Sequence, residues 1–106
     1  MDINRMANTL RLLGSEPRLT ILALLRERAL CVCELVAALG ISQPAVSQHL
    51  QKLKAYGLVR ETRRGQWIYY SLDVADKPFV ARILEELPSH REQIEKIRTV
   101  CEEAIS

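Results

Sequence analysis

The 106-residue sequence has no apolar run long enough to cross a membrane. Its longest, Leu19 to Leu25, is interrupted by Thr20 and stops at Arg26, well short of the roughly 18 residues that a span needs. The opening residues, Met1-Asp2-Ile3-Asn4-Arg5, lack the basic-then-apolar order of a secretory signal, so a cytoplasmic protein is expected. Glycine and proline are scarce, four of each, and no repeat, linker or low-complexity tract is visible. An even cysteine count is also missing. Three cysteines, Cys31, Cys33 and Cys101, do not make a disulfide framework in a short intracellular chain. What remains is ordinary for a globular protein: 48% apolar and 26% charged residues, which excludes wholesale disorder. The length suits a single domain over residues 1–106.

Charge is unevenly spread. The net charge is +2, but residues 42–72 alone carry +4, from Lys52, Lys54, Arg60, Arg63 and Arg64 against Glu61. A cationic middle third on an otherwise near-neutral chain predicts a face for a polyanion.

Ile3, Met6, Ala7, Leu10 and Leu13 recur at helical spacing and Gly14 follows, so a first amphipathic helix covers 3–13. Ser15 can cap a second helix with Pro17 in its first turn, running to Glu27. A short third helix covers Val32 to Leu39 and ends at Gly40. Ser42 caps a fourth, with Val46, Leu50 and Leu53 on one face, that stops near Gly57. The period then changes. Leu58 to Arg63 and Trp67 to Leu72 are rich in β-branched and aromatic residues around Arg64-Gly65-Gln66, which predicts a hairpin with a basic tip. Trp67 is expected to pack the hairpin rather than stack on a base. Helical spacing resumes at Asp76 and breaks at Leu87-Pro88, and Ser89-His90-Arg91-Glu92 is a capping box that restarts it. Val80, Ile83, Leu87, His90, Ile94, Ile97, Cys101 and Ala104 form a heptad-spaced seam. Together with the first helix, the C-terminal region 76–105 is expected to form a homodimer interface.

Helices three and four with their tight turn make a helix-turn-helix, and the hairpin that follows makes it a winged helix: mainly α with a β-hairpin wing. Major-groove reading needs short hydrogen-bonding side chains, and phosphate needs cations. Gln43, Ser47, Gln48 and His49 on the fourth helix supply the first, Lys52, Lys54, Arg63 and Arg64 the second, and Ser42, Pro44 and Gln66 complete the expected DNA-contacting set. Double-stranded DNA is the expected partner.

Ser42-Gln43-Pro44-Ala45-Val46-Ser47-Gln48-His49-Leu50, then Leu53, Gly57-Leu58-Val59 and Gly65-Gln66 before Tyr69-Tyr70, resemble the arsenic-repressor (ArsR/SmtB) family of metal-sensing transcription repressors over about residues 5–87. The resemblance implies a homodimer that represses a resistance operon without inducer and leaves its operator on binding inducer. Leu30-Cys31-Val32-Cys33-Glu34-Leu35 resembles the arsenic-binding segment of arsenite-responsive members.

Two thiols at the start of a helix should ionise readily. Soft sulfur suits As(III) or Sb(III), with Cd(II) or Pb(II) as the alternative. As(III) takes three sulfurs, and where arsenite sensors often carry a third cysteine this chain has Val36. Cys101, a small-molecule thiol, or two thiols alone are the three ways to complete the site. No resident cofactor is expected without inducer. The zinc-sensor pattern of the family, Asp and His pairs on the last long helix, is absent, since residues 76–87 contain no histidine. A redox repressor pairing Cys33 with Cys101 is the nearest rival. A thiol oxidoreductase would need a βαβ context and a partner base, neither of which is visible, so no enzyme activity is expected.

Overall fold

Side-chain caps set the helix starts, and the order of elements follows from them. In this computed structural model, which describes residues 2–97, the Asp2 carboxylate accepts from the Arg5 N–H at 2.8 Å and opens α1 (Ile3–Leu13). Ser15 Oγ accepts from the Arg18 N–H and opens α2 (Glu16–Glu27), with Pro17 in the first turn, where its missing N–H costs nothing. A two-residue strand β1 (Leu30–Cys31) runs directly into α3 (Val32–Leu39), and α4 (Gln43–Ala55) follows, opened by Ser42. β2 (Val59–Arg64) and β3 (Trp67–Leu72) form the hairpin across a two-residue Gly65-Gln66 turn, and α5 (Pro78–Glu85) comes next. A further helical turn begins at residue 91.

The core is the set of faces the spacing picks out. Ile21, Leu22, Leu24 and Leu25 of α2 are buried on several sides, and Val46, Leu50 and Leu53 of α4 are fully enclosed beside Leu35 and Leu58. Truncating one such leucine typically costs about 2–5 kcal/mol. Gly40 ends α3 at φ +67°, the left-handed conformation in which a β-carbon is strained, and so turns the chain sharply into α4. At the other end of α4, Lys77 Nζ donates to the Gly57 carbonyl at 3.1 Å and to Asp76. A β-carbon on Gly57 would come within 3.1 Å of that ammonium.

The sheet has three strands, not two. β1 joins it with order β1-β3-β2, pairing Leu30 with Tyr70 and Cys31 with Tyr69. Two residues are too few to show a period, so this strand leaves no trace in the sequence.

Two other differences concern the C-terminal region. The helix after Pro88 starts at Arg91, and Ser89 Oγ accepts from the Arg91 N–H instead of the Glu92 N–H that a capping box requires. The heptad seam does not face outward either. Val80, Ile94 and Ile97 are buried in the chain's own core, because an inward helix face and a dimer seam share the same spacing. Cys101 and Ala104 lie outside the described residues.

Arg26 fastens this region to α2. Its guanidinium donates to the carbonyls of Leu84, Leu87 (3.0 Å) and Pro88 (3.0 Å), capping the end of α5 with a cation. Arg26→Ala should lower unfolding free energy by about 2 kcal/mol, since three charge-assisted bonds to carbonyls at and beyond the end of α5 are lost. Arg26→Lys should recover only part of this, because an ammonium lacks the planar fork. The urea midpoint at unchanged m-value measures it.

Candidate nucleic-acid interface and thiol site

Burying Val46, Leu50 and Leu53 turns the opposite face of α4 to solvent. Gln43, Pro44, Gln48, Gln51 and Lys52 are exposed there and Ser47 is half-exposed. Ser42 uses its oxygen as the cap acceptor for the Ala45 N–H at 3.3 Å, and its hydroxyl hydrogen remains available to donate. Arg63, Arg64 and Gln66 are exposed at the hairpin tip. The helix face and the wing therefore put hydrogen-bonding groups and cations where the sequence predicts a DNA-reading surface. Lys54 is held differently, with its ammonium 2.5 Å from Glu61 on β2. Trp67, on the same hairpin, is 38% exposed. Arg64 lies with its guanidinium 5.1 Å from the centre of the Tyr69 ring, a cation–π distance.

His49 has a partner within the chain. Arg18 Nη1 lies 3.3 Å from His49 Nδ1, and Arg18 Nε donates to the Leu12 carbonyl at 2.6 Å. Since arginine only donates, Nδ1 accepts and the ring is neutral. Burial, then the charges of Arg18 and Lys52, push the His49 pKa down, which favours that form. Arg18 thus ties the end of α1 to the middle of α4. The spacing of neither residue signals this bond, which crosses 31 positions of the chain.

Cys31 and Cys33 meet at the start of α3, with their sulfurs 3.1 Å apart. Cys31 is 6% exposed and Cys33 is exposed, so the pair has one anchored sulfur and one accessible to an incoming ion. Cys31 is also the N-cap of α3. Its sulfur accepts from the Glu34 N–H, and the Glu34 carboxylate accepts from the Cys31 N–H at 3.0 Å. This is a capping box with sulfur in place of a hydroxyl, legible in hindsight as Cys-x-x-Glu. Burial alone would raise the Glu34 carboxyl, but the Arg28 guanidinium at 2.7 Å and the Cys31 N–H hold it below the usual carboxylate range.

The expected easy ionisation of both thiols does not hold for Cys31. Burial, followed by the contact with Cys33, pushes its pKa up to about 12, outweighing the helix-terminal N–H. Two convergent soft sulfurs suit a thiophilic ion. Among the described residues no cluster of three ligating side chains occurs, and Cys101 falls outside them.

On α1, Ile3, Met6 and Leu10 are 87%, 36% and 46% exposed while Thr9, Leu12 and Leu13 are buried behind them. This leaves an uncovered apolar stripe on the first helix. No helix among the described residues is long and apolar enough to cross a membrane.

Residues 15–61, which hold α2, the thiol pair, α3, α4 and the start of β2, match the bacterial regulatory proteins of the arsR family. The arsenical resistance operon repressor of Escherichia coli K12 is 37% identical over 91 residues, covering 85% of this chain and 76% of that protein. The arsenic resistance transcriptional regulator ArsR1 of Pseudomonas putida is 51% identical over 55 residues, which are 52% of this chain and only 42% of that relative's length. The crystal structure of the AntR antimony-specific transcriptional repressor superposes with a TM-score of 0.66 at 33% identity, covering 80% of each chain.

Proposed function

The chain belongs to the arsR family of bacterial regulatory proteins, and from that premise we propose that it is a cytoplasmic repressor of an arsenic-resistance operon. In this reading it binds operator DNA as a homodimer without inducer and leaves it when trivalent arsenic or antimony joins Cys31 and Cys33. The relatives named for arsenic and antimony support the inducer class. The single observation that carries it is the pair of sulfurs 3.1 Å apart on the N-cap of the helix that precedes the DNA-reading helix.

In the DNA-bound dimer, Gln43, Pro44, Ser47 and Gln48 of α4 face base edges, while Ser42, Lys52, Arg63, Arg64 and Gln66 face the backbone and minor groove. His49 holds α4 against α2 through Arg18. Two-fold symmetry sets the two α4 helices about 34–36 Å apart, in successive major grooves.

Arsenite suits thiols that stay protonated. As(OH)3 condenses with two S–H groups to give two As–S bonds and two waters, each thiol proton leaving with a hydroxide. Cd(II) or Pb(II) must instead expel both protons, which the raised Cys31 thiol opposes. Arsenite affinity should therefore be nearly flat from about pH 6 to about pH 8, whereas Cd(II) affinity should fall as the pH falls. Isothermal titration at several pH values distinguishes them. The deciding experiment is a titration of operator release with arsenite, antimonite, Cd(II), Pb(II) and a mild oxidant. Release by the oxidant alone would favour the redox reading.

Affinity for DNA should depend steeply on salt, with log K falling by about 0.9 per phosphate contact for each unit of log salt. Arg64→Ala should flatten that slope by about one contact and weaken binding to all sequences alike. Gln43→Ala or Ser47→Ala should instead relax discrimination at one base pair by about 1–3 kcal/mol. Anisotropy titrations at several salt concentrations separate the two patterns.

A further inference from the structure

β1 is two residues long, and its second residue is the buried thiol of the inducer site. Cys31 lies directly opposite Tyr69 in the antiparallel ladder, and Leu30 directly opposite Tyr70. Opposed residues share a face, with β-carbons about 4.5–5.5 Å apart. Burial agrees with this, since Leu30 and Tyr70 are both in the core. The other face then carries Cys31, Tyr69 and Thr62 as one row across the three strands, with Arg64 and Trp67 as the next opposed pair on that face toward the tip. The Arg64 guanidinium lies over the Tyr69 ring. One aromatic side chain therefore stands between the thiol site and a cation at the wing tip.

We propose that Tyr69 is the positioning residue through which loading of Cys31 and Cys33 changes the placement of the Arg64 side chain on the wing. The inference rests on the inducer reading of the thiol pair. Drawing both sulfurs onto one atom takes the Cys31 sulfur from its cap position over the Glu34 N–H and shifts the strand residue that carries it. β1 cannot absorb this by sliding, because a one-residue slip would exchange the faces of Leu30 and Cys31 and take the fully buried Leu30 away from Tyr70. The displacement passes to the paired residue of β3. Tyr69 moves, and the cation resting on its ring moves with it. The turn at residues 40–42 can reorient α4 in parallel, so two DNA-contacting elements respond to one site.

The chain supplies its own reporter. Trp67, the sole tryptophan, is exposed beside Arg64 on this face. Arsenite is titrated into the full-length protein while thiol loading is followed by loss of reaction with a disulfide reagent. In the wild type, Trp67 emission should change in step with loading. Tyr69→Phe, which keeps a ring beneath the guanidinium, should behave the same. Tyr69→Val, a β-branched strand former without a ring, should load arsenite fully, lose most of the Trp67 change, and show a several-fold smaller ratio of loaded to unloaded operator Kd. Full loading of the wild type with no change at Trp67 would overturn the proposal without recourse to any variant. So would a wild-type release ratio in Tyr69→Val. Wild-type thiols that stay reactive under excess arsenite would refute the inducer reading itself, and the coupling with it.

Discussion

Cys31→Ser and Cys33→Ser, singly or together, should bind operator as the wild type does and should not release it in arsenite. The unliganded fold survives both changes for identifiable reasons. Cys31 caps α3 through a sulfur that accepts from the Glu34 N–H, and Glu34 reciprocates. Serine at that position gives Ser-x-x-Glu, the ordinary capping box, so helix α3 keeps its start. Cys33 is exposed, and its replacement opens no cavity. What should disappear is the As–S bonding that, in the proposed mechanism, distinguishes the two conformations. An inducer shifts an equilibrium only by its difference in affinity for the two states, and typical couplings change DNA affinity by about 5–150-fold. In these variants that factor should fall to about one. By reciprocity, operator DNA should weaken arsenite binding to the wild type by the same factor. Cys101→Ser tests the third ligand. A much higher arsenite requirement would assign that role to Cys101, and a near-wild-type response would leave it to a soluble thiol or to none. Normal arsenite release by the doubly substituted protein would put the sensor site elsewhere.

Much of this arrangement is legible in the residues because it depends on local chemistry. Ser15, Gly40 and Ser42 mark helix ends at the predicted places, and Val46, Leu50 and Leu53 select the inner face of α4. The parts that escape sequence reading depend on what lies across the fold. β1 exists only because Leu30 and Cys31 meet Tyr70 and Tyr69, so no run of sequence contains it. The Arg18–His49 and Arg26–α5 bonds join positions far apart in the chain. The thiol chemistry is predicted from the helix terminus and decided by burial, which acts in the opposite direction on Cys31. The seam at Val80, Ile94 and Ile97 has the spacing of a dimer contact and the location of a core. Spacing specifies that a helix face is covered and leaves open which chain covers it.

That last distinction changes where a dimer-breaking charge belongs. Ile97→Asp would put a carboxylate into the chain's own interior, where an unpaired charge destabilises the fold whatever the oligomeric state. Leu10→Asp is the clean variant. Leu10 is exposed on α1 with Ile3 and Met6, while Thr9, Leu12 and Leu13 are the buried residues of that helix, so the isolated chain should lose no more than about 0.5 kcal/mol of stability. In the proposed dimer the same carboxylate would be trapped unpaired against an apolar partner surface. Sedimentation at micromolar concentration should show the variant as a monomer and the wild type as a dimer. The effect on DNA is expected to be larger still. In the proposed complex one recognition helix and one wing contact a single half-site, and joining two such units would make the second contact intramolecular, a gain of about 10²–10⁴ in affinity. Leu10→Asp should lose about that factor at a full operator and almost nothing at an isolated half-site. A variant that remains dimeric would remove α1 from the interface, and a monomer with full operator affinity would refute the two-site mode of binding altogether.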